Sequence, residues 1–197
     1  MTLPQGAEMP ATDPTTCPQL PAWEVGTWLN TPAPITPASL RGRVVLLHAF
    51  QMLCPGCVTY GLPQAQRVHQ GLAGSDLAVV GLHTVFEHHA VMTVDALRAF
   101  VHEYRWSFPI GVDEADGRGG PSRTMTRYGL RGTPSCLVLD RQGRLRLHHF
   151  GHLDDLLLGA LLGRLLAEAD EPQGAPAWPP GGGLARRPGS CVLATNE

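Results

Sequence analysis

Strong charge of either sign and a long uninterrupted apolar run are both missing from this 197-residue chain. Each absence removes a class of function. Lys and Arg number 15 against 17 Asp and Glu, for a net charge of −2, which gives no support for nucleic-acid binding or for a strongly acidic substrate. Met1 to Glu8 contains no basic stretch followed by an apolar one, so no secretory signal is read there. The most apolar segment, Leu153 to Leu166, carries Asp154, Asp155 and Arg164 and is too short to span a bilayer. No membrane partner is expected, and the location expected is cytoplasmic, with the cysteines kept reduced. In such a compartment a close cysteine pair is catalytic rather than structural. Internal repeats are absent.

What is present suits one domain with extensions, since the apolar fraction of 43% is ordinary for a globular chain. Gly and Pro cluster at the two ends. Residues 1–20 read as a loose arm, 21–170 as the folded domain, and 171–197 as an irregular Pro/Gly-rich tail. Within the domain, residues 23–30 suggest a short edge strand. Val44 to Phe50 is an apolar strand. Residues 55–72 read as a helix with Val58, Leu62, Ala65, Val68 and Leu72 on one face, kinked at Pro63 and ended by Gly71 and Gly74. Leu77 to Leu82 is a continuous apolar run, as a buried parallel strand requires. Thr93 caps a helix reaching Tyr104. Phe108 to Val112 is a short strand, and Ser122 to Tyr128 a short helix closed by Gly129. Residues 136–140 and 144–150 form a hairpin around Arg141-Gln142-Gly143, and Leu153 to Ala169 is a last helix. The result is an α/β layer whose strands run parallel early and antiparallel late.

Cys54-Pro55-Gly56-Cys57 lies between the strand at 44–50 and the helix after it. At that junction the first cysteine meets free backbone N–H groups and the positive end of a helix dipole. Both favour a thiolate and hence a nucleophile. The second cysteine follows about one turn later, close enough to close a small disulfide. Zinc sites share this spacing but need a second ligand pair, and no second C-x-x-C occurs.

With these residues in view, the chain resembles the thioredoxin superfamily, and within it the TlpA/ResA-like and redoxin group. The resemblance rests on Leu40-Arg41-Gly42-Arg43-Val44-Val45 leading into the Cys54–Cys57 motif, on Gly132-Thr133-Pro134, on the hairpin and on the last helix. It covers about residues 22–169. It implies a thioredoxin-like fold, a central mixed β-sheet flanked by helices. It also implies a cis peptide bond between Thr133 and Pro134 facing the cysteine pair, with Thr133 presenting its backbone edge to an extended substrate. Three positions depart from the pattern. Leu53 stands where an aromatic usually precedes the first cysteine. Pro63 falls one residue later than the pattern asks. His48 occupies the buried acidic or amide position six residues before Cys54.

The expected chemistry is thiol–disulfide exchange. Cys54 attacks a substrate disulfide and Cys57 resolves the mixed disulfide. His48 accepts and returns the Cys57 proton, or is a core histidine bonded to backbone. The partners expected are a disulfide-bearing protein or small molecule and an external thiol reductant; no cofactor is called for. Cys136 reads as an inert core residue, Cys17 as an exposed spare thiol, and Cys191 as an exposed tail thiol or a distal resolving one. His83, Glu87, His88 and His89 read as a solvated loop or as a group able to bind metal or stabilise a thiolate. Surplus leucines on the last helix point to a homodimer interface or to cover by the tail. Two rival functions remain open. A peroxiredoxin-like antioxidant peroxidase would need Pro and Thr where Leu47 and Gln51 stand. A copper- or zinc-binding module would use Cys54, Cys57 and His83 or His88.

Overall fold

A computed structural model describes residues 17–168. A six-stranded sheet forms the middle layer in the order β1-β4-β3-β2-β5-β6. The strands are β1 (Val25–Leu29), β2 (Val44–Phe50), β3 (Leu77–His83), β4 (Ile110–Asp113), β5 (Ser135–Leu139) and β6 (Leu145–Phe150). Strands β2, β3 and β4 run parallel, while β1, β5 and β6 are each antiparallel to their neighbours. The helices are α1 (Leu62–Gly71), α2 (Val94–Tyr104), α3 (Arg123–Arg127) and α4 (Asp155–Ala167).

Strand β2 is central and fully buried, so both of its alternating faces are apolar. Val44, Leu46 and Phe50 pack beneath α1, α2 and α4, against Leu62, Leu97, Leu158 and Leu162. Val45, Leu47 and Ala49 face the other way, against Trp23, Met125 and Tyr128. The motif that follows β2 is therefore mounted on a central, fully buried strand of the sheet.

The expected helix over 55–72 is two structures. Cys57–Gly61 is a π-helical turn, in which the Leu62 amide reaches back to the Cys57 carbonyl, and α1 starts only at Leu62. A π-turn is the way a helix absorbs one additional residue, and Pro63 lacks the N–H that would otherwise continue the regular ladder. This accounts for the late position of Pro63. The Thr93 cap is present, its side chain accepting from the Ala96 amide.

Helix α4 is capped by Asp154, whose carboxylate accepts from the Leu156 and Leu157 amides. It buries Leu158, Leu162 and Leu165, whereas Leu156 and Leu157 stay 78% and 64% exposed. Its far end is held by Arg146. This side chain is 1% exposed and lies between Asp140 (3.2 Å) and Glu168 (2.9 Å). A charge so deep is tolerated only because two carboxylates share it.

The expectation of a loose arm to residue 20 needs correction at its end. The Pro18 carbonyl accepts from the Leu145 amide at 2.8 Å, and Gln19 bridges to Arg144. Cys17, expected as an exposed thiol, is 6% exposed and disulfide-bonded. The tail 171–197, with Cys191, lies outside the described residues.

Candidate active site

The site forms where β2 ends, the π-turn begins and the loop before β5 comes close. The Cys54 amide is held by the Gln51 carbonyl at 3.2 Å, and the Cys54 carbonyl accepts from the Val58 amide at 3.1 Å. These bonds place the Cys54 sulfur at the start of the helical segment. There it accepts a hydrogen bond from the Cys57 amide at 3.3 Å and, as a thiol, donates to the Thr133 carbonyl at 3.4 Å.

The two sulfurs differ in environment. Cys54 is partly exposed, whereas Cys57 is fully buried. Burial, followed by the hydrogen bond with Cys54, pushes the Cys57 thiol up to about 12. One sulfur is thus open to a partner and the other is protected as a neutral thiol.

The Thr133–Pro134 peptide is cis. Two glycines allow the Pro134 ring its place. A Cβ on Gly56 would sit 3.3 Å from Pro134 Cδ, and one on Gly61 the same distance from Pro134 Cβ. The Thr133 carbonyl reaches Cys54, so the proline loop and the cysteine motif touch directly.

His48 lies below this junction. It pairs with Cys136 in the β2–β5 register and is 3% exposed. Its ring presses on the π-turn, where a Cβ on Gly61 would come within 2.3 Å of Nε2. Nε2 has no hydrogen-bond partner. Burial lowers His48 to about 4, so the ring is neutral at physiological pH. Cys136, behind it, is buried and pushed up to about 12, as expected of an inert core thiol.

The other sequence candidates separate in space. His83 is no loop residue. It is the last residue of β3, 1% exposed, with its ring 5.3 Å from that of Phe50 and both nitrogens without partners. Burial lowers it to about 4. Glu87, His88 and His89 are exposed beyond it. His148 and His152 have the four-residue spacing of a metal-binding pair, yet the His152 ring packs on Tyr60 at 4.9 Å and its carbonyl contacts His149 Nε2. Among the described residues no three His, Cys, Asp or Glu side chains converge as a metal site. Gln51, considered as a peroxide donor, is 0% exposed, with its carbonyl oxygen 3.5 Å from the Phe86 amide.

Two features escaped the sequence reading. Gly61 is the gap that admits the His48 ring, and a glycine inside a helical stretch beside a C-x-x-C was its only signal. Exposed apolar side chains lie on the segments that carry the site: Leu53 next to Cys54, Tyr60 on the π-turn and Phe150 over Gly132 are 55%, 52% and 39% exposed. Arg131 lies 6.0 Å above the Phe150 ring, and that ring fills the space over Gly132. Tyr60 and Phe150 are far apart in sequence, so no local pattern could have joined them.

Known proteins share this fold. A crystallised thioredoxin-like superfamily protein is 51% identical to the chain, covering 78% of it and 99% of that protein, with a TM-score of 0.75. The chain belongs to the thioredoxin superfamily. A thiol-disulfide isomerase from Corynebacterium glutamicum is 47% identical over 79% of this chain and 99% of its own, with a TM-score of 0.73. By class, this thioredoxin-superfamily chain is a thiol–disulfide oxidoreductase. Protein DipZ of Mycobacterium bovis is 31% identical over 144 residues, which are 72% of this chain and 20% of DipZ. The chain therefore spans about a fifth of the curated relatives it matches. No family model matches. No helix among the described residues is long and apolar enough to cross a membrane.

Proposed function

We propose that the chain reduces disulfides in extended protein segments or small molecules through Cys54 and Cys57. The observation that carries this reading is the inequality of the two sulfurs. Cys54 is partly exposed and receives the Cys57 amide, while Cys57 is buried and held as a thiol near 12.

The Cys54 thiolate attacks one sulfur of a substrate disulfide. The substrate S–S bond breaks, its leaving thiolate takes a proton from water, and a Cys54–substrate disulfide forms. Cys57 then loses its proton and attacks the Cys54 sulfur. The second substrate thiolate leaves, and Cys54–Cys57 is the product disulfide. Two electrons have moved to the substrate. An external dithiol returns them by the reverse exchange and is itself oxidised.

His48 is the proton acceptor for Cys57 in this scheme. It is neutral, its Nε2 is unpartnered, and its ring lies against the turn that begins with Cys57. Transfer from a high thiol to a low imidazole creates a buried ion pair. The mutual attraction of the two charges opposes the cost of forming them. The Thr133 backbone beside Cys54 and the cis Pro134, which has no N–H, leave an edge for an extended substrate strand, and the exposed apolar side chains suit a protein segment.

Trapping provides the test. Cys57→Ser is expected to accumulate a mixed disulfide with a reporter protein substrate, seen as an added mass that reductant removes. Cys54→Ser is expected to lose at least about 100-fold in disulfide reduction and to form no adduct. Adducts on Cys57 instead would overturn the assignment. Fast peroxide oxidation of the reduced protein, dependent on Cys54, would replace the reading with a peroxidase.

A further inference from the structure

Two polar atoms near the resolving cysteine are unemployed in the reduced protein. His48 Nε2 is one and Thr133 Oγ1 is the other. Each is buried and, among the described residues, makes no hydrogen bond. A buried hydroxyl without a partner costs stability, so its presence calls for a role. We infer that the Thr133 hydroxyl is the donor that receives the Cys57 thiolate in the resolving step, while the His48 ring takes the proton.

The geometry converges on one turn. A Cβ on Gly61 would run into His48 Nε2 and lie 3.3 Å from Pro134 Cβ. The histidine and the proline loop therefore reach the same end of the π-turn that Cys57 opens. The Thr133 carbonyl lies 3.4 Å from the Cys54 sulfur, which in turn accepts from the Cys57 amide at 3.3 Å. Thr133 thus stands against both cysteines, its carbonyl at Cys54 and its side chain toward Cys57. Burial raises the Cys57 thiol most, and the hydrogen bond with Cys54 adds to this. The Gln51 backbone and the Thr133 side chain act the other way, as groups that donate to sulfur do.

The inference rests on the division of labour proposed above, in which Cys54 attacks and Cys57 resolves. The Cys57 S–H bond breaks, its proton goes to His48 Nε2 and the electron pair stays on sulfur. The Thr133 hydroxyl turns about its C–O bond and donates to that thiolate, with no backbone movement. The thiolate attacks the Cys54 sulfur. The Cys54–Cys57 bond forms, the Cys54–substrate bond breaks, and the substrate sulfur leaves with the electron pair and takes a proton from water. His48 gives its proton back to water. A hydrogen bond to a thiolate is stronger than one to a neutral thiol, so the hydroxyl favours the charged sulfur over the resting one.

The test is stopped-flow mixing of the reduced full-length protein with a symmetrical nitroaryl disulfide whose released thiolate is coloured. Attack by Cys54 releases one thiolate in a phase that scales with reagent. Resolution by Cys57 releases the second in a phase that does not. Both are counted above a Cys54→Ser control. Thr133→Val keeps the side-chain shape and removes the donor. It is expected to slow the second phase about 10–100-fold and the first by less than about threefold. Thr133→Ser restores a hydroxyl and is expected to return the second phase to within about fivefold of wild type. Reduced Thr133→Val is expected to unfold at an equal or higher temperature, because a methyl replaces the unpartnered hydroxyl. Equal slowing of both phases, an unslowed second phase, or a Ser variant as slow as Val would overturn the inference. A lowered midpoint with both phases slowed would also overturn it and make Thr133 a packing residue. Cys57→Ser is expected to release only the first thiolate. A second one there would overturn the assignment of Cys57 itself, a failure separate from that of the Thr133 hydroxyl.

Discussion

His48 shows how one side chain can be both a packing problem and a chemical resource. Its ring is accommodated because residue 61 has no Cβ. Gly61→Ala is expected to destabilise the protein by about 1–3 kcal/mol, since an atom 2.3 Å from Nε2 must displace the ring or the turn. Denaturant unfolding measures this, and an unchanged midpoint would mean that the turn yields freely. His48→Gln tests the proton role. Resolution by Cys57 is expected to slow about 100-fold near neutrality and to lose its dependence on the histidine, while the first attack, followed in a Cys57→Ser background, is unchanged. Equal slowing of both steps would reduce His48 to a packing residue. The family resemblance singled out His48 from its place six residues before Cys54, but it could not reveal that Nε2 lacks a partner. That follows from which backbone passes nearby.

Among the elements, the turn between Cys57 and Gly61 and the clamp on α4 matter most. The strand, the motif and the helix were all legible from apolar runs and turn residues. The π-turn was signalled only by the late proline, because periodicity cannot say which residue a helix will bulge out. The α4 clamp was invisible, since Arg146, Asp140 and Glu168 meet only after β6 folds back and α4 docks. Arg146→Ala is expected to cost about 1.5–3 kcal/mol by leaving Asp140 with Arg144 as its ion-pair partner and by releasing Glu168 at the end of α4. Arg146→Met combined with Asp140→Asn should recover part of that loss in thermal unfolding. If the double variant is no better than the single one, desolvated charge is not the cause. Asp154→Ala should cost about 1 kcal/mol, through loss of two capped amides.

At the scale of the whole molecule, two neutral histidines link stability to pH. His48 and His83 are each lowered by burial to about 4 from an ordinary 6.5. Between those values the unfolded chain binds more protons than the folded one, so stability falls as pH falls through that window. It is fully present above about 6.5 and levels off below about 4, with up to roughly 3 kcal/mol at stake per histidine. Unfolding free energies measured between pH 7.5 and 4 should therefore drop steeply, and His83→Phe should make the slope shallower. A flat profile in the wild type would show that the rings protonate without unfolding. The raised thiols act at the other end. Cys57 and Cys136 hold their protons to about 12 when folded, so the stability they contribute is lost as pH rises from the ordinary thiol value toward 12.

Sequence alone determined the order of strands and helices, the place of Cys54 and Cys57 between a buried strand and a helix, and the Gly-Thr-Pro that meets them. Those features are local: apolar runs, turn residues and a short motif are written in neighbouring positions. Tertiary structure alone decided that Cys54 is open and Cys57 closed, that His48 presses on the turn through Gly61, that His83 is core and not loop, and that Cys17 is bridged. Each of these depends on residues brought together from distant parts of the chain, and burial and hydrogen bonding arise only at those contacts.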